Sequence, residues 1–106
     1  MTKYVNKLLE EFKTKMAIRE IEHKLSCIKA NTNKTYDTIS RIRRDYRVVL
    51  TEEEIENVFV AKNKEYILEL QLKEKTLLKE KEKKEIELQG IRLALDEMEA
   101  ERNLVS

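Results

Sequence analysis

The chain has 106 residues, of which 41% are Asp, Glu, Lys or Arg, and it contains one Gly, no Pro and no Trp. Turns depend on Gly and Pro for special backbone angles, so this composition excludes a turn-rich all-β or compact α/β domain and fits a few long helices. The net charge of +1 gives the whole molecule no electrostatic direction toward nucleic acid or membrane. The charge is nevertheless unevenly placed. Residues 1–47 hold twelve Lys or Arg against six Asp or Glu, and residues 48–106 hold ten against fifteen.

The N-terminal stretch MTKYVNKLLEEFKTKMAIRE has no uninterrupted apolar run, so neither a secretory signal nor a membrane span is expected. Its apolar residues Val5, Leu8, Leu9, Phe12 and Met16 fall on one helical stripe flanked by lysines. A membrane-surface helix has a similar pattern, but Glu10 and Glu11 weaken it, so packing within a hairpin or dimer is the expectation and membrane contact is not.

From Ile18 a heptad repeat sets in. Ile18, Leu25, Thr32, Ile39 and Tyr46 occupy its a positions, and Ile21, Ile28, Thr35, Ile42 and Val49 its d positions. Eight of these ten are apolar. The segment Asn31-Thr-Asn-Lys-Thr35 is poor in helix propensity, yet the repeat runs through it without a slip, which predicts one helix over about 2–48 with a weak polar layer. The stripe upstream is out of phase with Ile18 and Ile21, so the seam is expected to change face near Met16.

Thr51 and Glu54 have capping-box spacing, and Glu52, Glu53 and Glu54 suit the positive end of a helix dipole. A turn at about 48–51 followed by a second helix over about 52–104 is therefore predicted, and so short a connection makes the helices antiparallel neighbours. Ile55, Phe59, Tyr66, Leu70, Leu77, Leu88, Ile91, Leu95 and Met98, with Val105 near the end, form the expected apolar face of this second helix. Lys73, Glu80, Lys81 and Lys84 interrupt that face, marking either a solvated stretch or a weak segment that receives a partner.

The expected fold class is all-α: a long antiparallel helical hairpin or coiled coil forming a single domain, with two hairpins pairing into a homodimeric four-helix bundle. Folding back at the turn brings Arg41, Arg43, Arg44 and Arg47 beside Glu52, Glu53, Glu54 and Glu56, and the far end brings Lys3, Lys7 and Lys13 toward Asp96, Glu97, Glu99 and Glu101. Arg41, Arg44 and Arg47, extended by Lys34, make an outward basic stripe that could contact phosphates.

Chemistry finds little support. His23 and Cys27 lie four residues apart, but no CxxC or HxxxH companion completes a metal site. No glycine-rich phosphate loop exists, since Gly90 is the only glycine. No catalytic residue, metal or cofactor is expected. A lone cysteine suits a reducing, cytoplasmic setting. The leading expectation is a non-enzymatic protein-binding coiled coil: an adaptor, assembly factor or small inhibitor with a larger protein partner. Its candidate contact residues are Lys34, Arg41, Arg44, Arg47, Lys73, Lys81 and Lys84. The alternative is a nucleic-acid-binding accessory protein using the arginine stripe. The Lys/Glu/Ile/Asn-rich composition is compatible with a phage or mobile-element accessory protein.

Overall fold

The computed structural model describes residues 2–105, with side chains as far as Arg102. The described residues are all-α, without strands. A long helix α1 (Thr2–Tyr46) is followed by a short connection, one helical turn α2 (Glu52–Glu54), a π-helical segment (Ile55–Val60) and a long helix α3 (Ala61–Val105). The chain divides into two compact units, Lys24–Thr76 and the remainder of α1 and α3 on either side of it.

In the Lys24–Thr76 unit, α1 ends at Tyr46, whose carbonyl accepts from the amides of both Val49 (3.1 Å) and Leu50 (2.9 Å). These bonds satisfy a helix-end carbonyl and start the turn. Val49, at an expected d position, therefore lies in the turn and is exposed. The next helix starts as the sequence predicts. The Glu54 amide donates to Thr51 Oγ1 at 3.2 Å, and the Thr51 amide donates to Glu54 Oε1 at 3.1 Å. Both halves of the capping box are present.

The weak segment Asn31–Thr35 is helical throughout, and its threonines bond back onto their own helix. Thr32 and Thr35 donate to the carbonyls of Ile28 and Asn31, each at 2.8 Å, and Thr38 donates to Lys34 at 2.9 Å. Thr35 is buried in the seam with its hydroxyl satisfied.

The π-helical segment departs from the expected straight second helix. The Ala61 amide donates to the Glu56 carbonyl, five residues back instead of four. Its cause is a phase mismatch. Ile55 and Ile67 are twelve residues apart, which in a regular α-helix puts them roughly 120° out of phase; one residue absorbed in a wider turn reduces this to roughly 20°. With that correction Ile55 and Ile67 join Ile39 and the fully buried Val60 in one core cluster, flanked by Ile42 and Leu50. Phe59 is half-buried, and its ring stacks on Tyr46, centroids 4.9 Å apart and planes 12° from parallel. The same correction moves the seam from Tyr66 to Ile67: Tyr66 is exposed and Leu70 buried.

In the other unit the heptad register of α1 runs on upstream instead of changing face. Thr14 is buried and Tyr4, Lys7 and Glu11 are half-buried, at the a and d positions that precede Ile18 and Ile21. Across from them Leu88 and Leu95 are buried, and Leu77, Lys81, Lys84, Ile91 and Met98 are half-buried. The expected face change near Met16 is therefore corrected: Val5, Leu8, Leu9, Phe12 and Met16 are exposed. The polar seam is workable because its groups find partners. Tyr4 Oη donates to Glu99 at 3.0 Å, and the Arg102 guanidinium lies 4.6 Å from the centre of the Tyr4 ring. Glu11 meets Arg92 at 3.8 Å, and Glu22 meets Lys81 at 3.6 Å. Residue numbers fall on α3 as they rise on α1, so the two helix segments of this unit run antiparallel. Lys7 pairs with Glu10 of its own helix at 3.1 Å, in place of the expected acids of α3. The side chain of Val105 lies outside the described residues.

Candidate interaction surfaces

The expected basic tip is real as a place but mixed in charge. Arg41, Arg44 and Arg47 are exposed, as is Lys34. Arg44 Nε lies 3.5 Å from Asp45 Oδ1. Ser40, Arg43, Arg44 and Arg47 line a cleft of about 580 Å³ together with Glu52, Ile55 and Glu56. Two carboxylates on the wall of a cleft lower its suitability for a phosphate, whose own charge they repel. Arg43 makes the tip's tightest contact: its Nη2 donates to Glu56 Oε1 at 2.6 Å, and Lys64 Nζ reaches Glu56 Oε2 at 3.2 Å. These hydrogen bonds, Arg43 first and Lys64 second, hold the Glu56 carboxyl below its ordinary value of 4.5.

The second candidate segment splits. Lys73 is exposed and off the seam, whereas Lys81 and Lys84 sit half-buried on it. Lys81 lies between Glu22 (3.6 Å) and Glu85 (3.7 Å), and Lys84 pairs with Glu87 at 3.1 Å. Long lysine stems lay apolar length along the seam while their ends reach carboxylates at its edge. Of the remaining expected seam residues, Leu25 and Ile42 are half-buried, and Ile18, Ile21, Ile28 and Ile39 are buried. Tyr46 is 40% exposed, which its stacking on Phe59 at the edge of the core explains.

Two apolar surfaces stand out. On α1 the stripe Val5, Leu8, Leu9, Phe12 and Met16 spans three turns, and Phe12 is 61% exposed. In the Lys24–Thr76 unit, Tyr36 (51% exposed) and Leu68 (60% exposed) flank a groove of about 360 Å³ whose other lining residues are Ile39, Ile67, Arg43, Lys64 and Gln71. The groove is invisible to a heptad count that places Tyr66 in the seam. The break in spacing between Ile55 and Ile67 is the signal from which it could have been found.

Among the described residues no group of three His, Cys, Asp or Glu is placed to hold a metal ion, and no helix is long and apolar enough to cross a membrane. Cys27 is exposed. Tyr4 has its pKa raised above 10.0, chiefly because its hydroxyl donates to Glu99. Compared with protein-family models, curated proteins and solved structures, the chain matches none.

Proposed function

We propose that this chain is a non-enzymatic, protein-binding helical hairpin that pairs with a second copy of itself, and that the paired form serves as an adaptor, assembly factor or small inhibitor for a larger protein, in a reducing compartment. One observation carries the reading: α1 turns polar groups into its own helix pair at Tyr4, Lys7, Glu11 and Thr14 and leaves Val5, Leu8, Leu9, Phe12 and Met16 outside. A helix that buries its polar side and exposes its apolar side at i, i+3, i+4, i+7 and i+11 has a second helix as its natural complement. Two such stripes face to face remove on the order of 1,000 Å² from water, about the threshold that separates a biological interface from an incidental contact. The near-zero net charge sets up little repulsion between copies. A two-fold pairing makes the same patch serve on both sides, so one stripe suffices.

The nucleic-acid reading rests on Arg41, Arg44 and Arg47 and is the weaker one, because Glu52 and Glu56 share the cleft that Arg44 and Arg47 line. The test is light scattering on the wild type and on Phe12→Lys, with far-ultraviolet circular dichroism as the control for folding. The wild type is expected at twice the chain mass and the variant at the chain mass with helicity retained. A wild type that stays monomeric at high micromolar concentration, or a variant that stays dimeric, defeats the proposal.

A further inference from the structure

We infer that the groove between Tyr36 and Leu68 receives an acidic, amphipathic helix from a partner protein. The inference rests on the reading of this chain as a protein-binding module, but it uses a different surface from the α1 stripe. The floor of the groove is apolar, formed by the buried Ile39 and Ile67, and its walls are the exposed Tyr36 and Leu68. A phosphate backbone gains nothing from such a floor, whereas apolar anchors on one face of a helix fill it.

The charged residues that line the groove, Arg43 and Lys64, are both cations. Lys29 stands one heptad before Tyr36, and Arg43 one heptad after it; on α3, Lys64 lines the groove and Lys75 stands one heptad beyond Leu68. Asp37 on α1 and Glu65, Glu69 and Glu74 on α3 fall within these spans, but none of them lines the groove. The acid at the end of this side, Glu56, is already held by Arg43 and Lys64. The groove thus offers an apolar floor, cations toward both ends and no carboxylate among its lining residues, which complements a helix with Leu or Ile anchors flanked by Glu and Asp and disfavours a basic one.

The test measures fluorescence anisotropy of a labelled synthetic peptide of three heptads, Leu and Ile at its a and d positions and Glu elsewhere, against the whole protein at low and moderate salt. Binding is expected, with at least a tenfold loss in Tyr36→Ser/Leu68→Ser and, separately, in Lys29→Glu/Lys75→Glu, each checked for helicity. Phe12→Lys is expected to leave this binding intact, so failure of the groove and failure of the dimer are read apart. Three results overturn the inference: no binding by the wild type; equal competition by a DNA duplex with no effect of Tyr36→Ser/Leu68→Ser, which marks a site for any polyanion; or loss of self-association in the groove variants, which makes a second copy the occupant.

Discussion

Deletion of Asn57 tests the account of the π-helical segment. Asn57 is exposed and lies inside Ile55–Val60, where one residue more than a regular α-helix accommodates is taken up. Removing it leaves Ile55 and Val60 four residues apart and Ile55 and Ile67 eleven apart, so in an ordinary α-helix all three stay within roughly 40° of one another. No buried side chain is lost. The expected change in stability is within about 1 kcal/mol, as for other surface changes that touch no core group, while the bond from the Ala61 amide to the Glu56 carbonyl gives way to regular spacing. If the segment does not correct a phase mismatch, the deletion rotates Ile55, 3% exposed, and Val60, 0% exposed, away from Ile39. At ~1.5–3 kcal/mol for each buried side chain brought into water, that costs about 3–6 kcal/mol. For a chain of this size 1 kcal/mol shifts Tm by about 4–8 °C. Thermal unfolding followed by circular dichroism at 222 nm separates the two cases: a shift of a few degrees supports the phase argument, and a fall of more than about 12 °C refutes it.

Three further outcomes are expected. Gly90→Ala should raise stability by about 1 kcal/mol, because Gly90 is inside α3 and an added Cβ meets nothing within 4 Å; urea unfolding checks it. Thr51→Ala removes the side-chain half of the capping box and should lower stability by about 1 kcal/mol, whereas Thr51→Ser should lower it by much less. Glu56 has a folded pKa below its ordinary value of 4.5, so its contribution is present above that pH and is lost as the pH falls through the lowered value. Glu56→Gln should therefore destabilise at neutral pH and show a shallower loss of Tm between about pH 5 and pH 2; an unchanged acid limb would count against the Arg43 and Lys64 contacts.

Much of the fold was legible because it rests on short-range rules. The heptad from Ile18 to Ile42, the survival of helix through Asn31–Thr35 and the Thr51 capping box each follow from residues close in sequence. The end of α1 was read slightly late, since the two amides that close on Tyr46 belong to residues with strong apolar character, Val49 and Leu50. Two features were hidden. The π-helical segment could be seen only by comparing the phase of Ile55 with that of Ile67 across a stretch where Phe59 and Tyr66 offer an equally apolar, wrong alternative. The N-terminal stripe misled for a related reason: Val5, Leu8, Leu9, Phe12 and Met16 are the obvious seam by hydrophobicity, but the register set by Ile18 and Ile21 continues upstream at lower apolar content through Thr14, Glu11, Lys7 and Tyr4. The long heptad fixes which side faces α3, and a stutter would have to bend or unwind a helix that is otherwise regular. Of the candidate site, the arginines at the tip were legible as exposed groups, whereas the groove beside Tyr36 was not, because it exists only once Ile67 replaces Tyr66 in the core.

The most direct test of the central claim is excimer fluorescence from pyrene attached at residue 9 of the variant Leu9→Cys/Cys27→Ser, recorded over a concentration series alongside light scattering. Leu9 lies near the middle of the α1 stripe, so a two-fold pairing of stripes brings the two labels together. The account predicts excimer emission that rises with the dimer fraction and disappears on mixing with an excess of unlabelled wild-type protein. A dimer mass without excimer emission, or a chain that remains monomeric throughout, would contradict it.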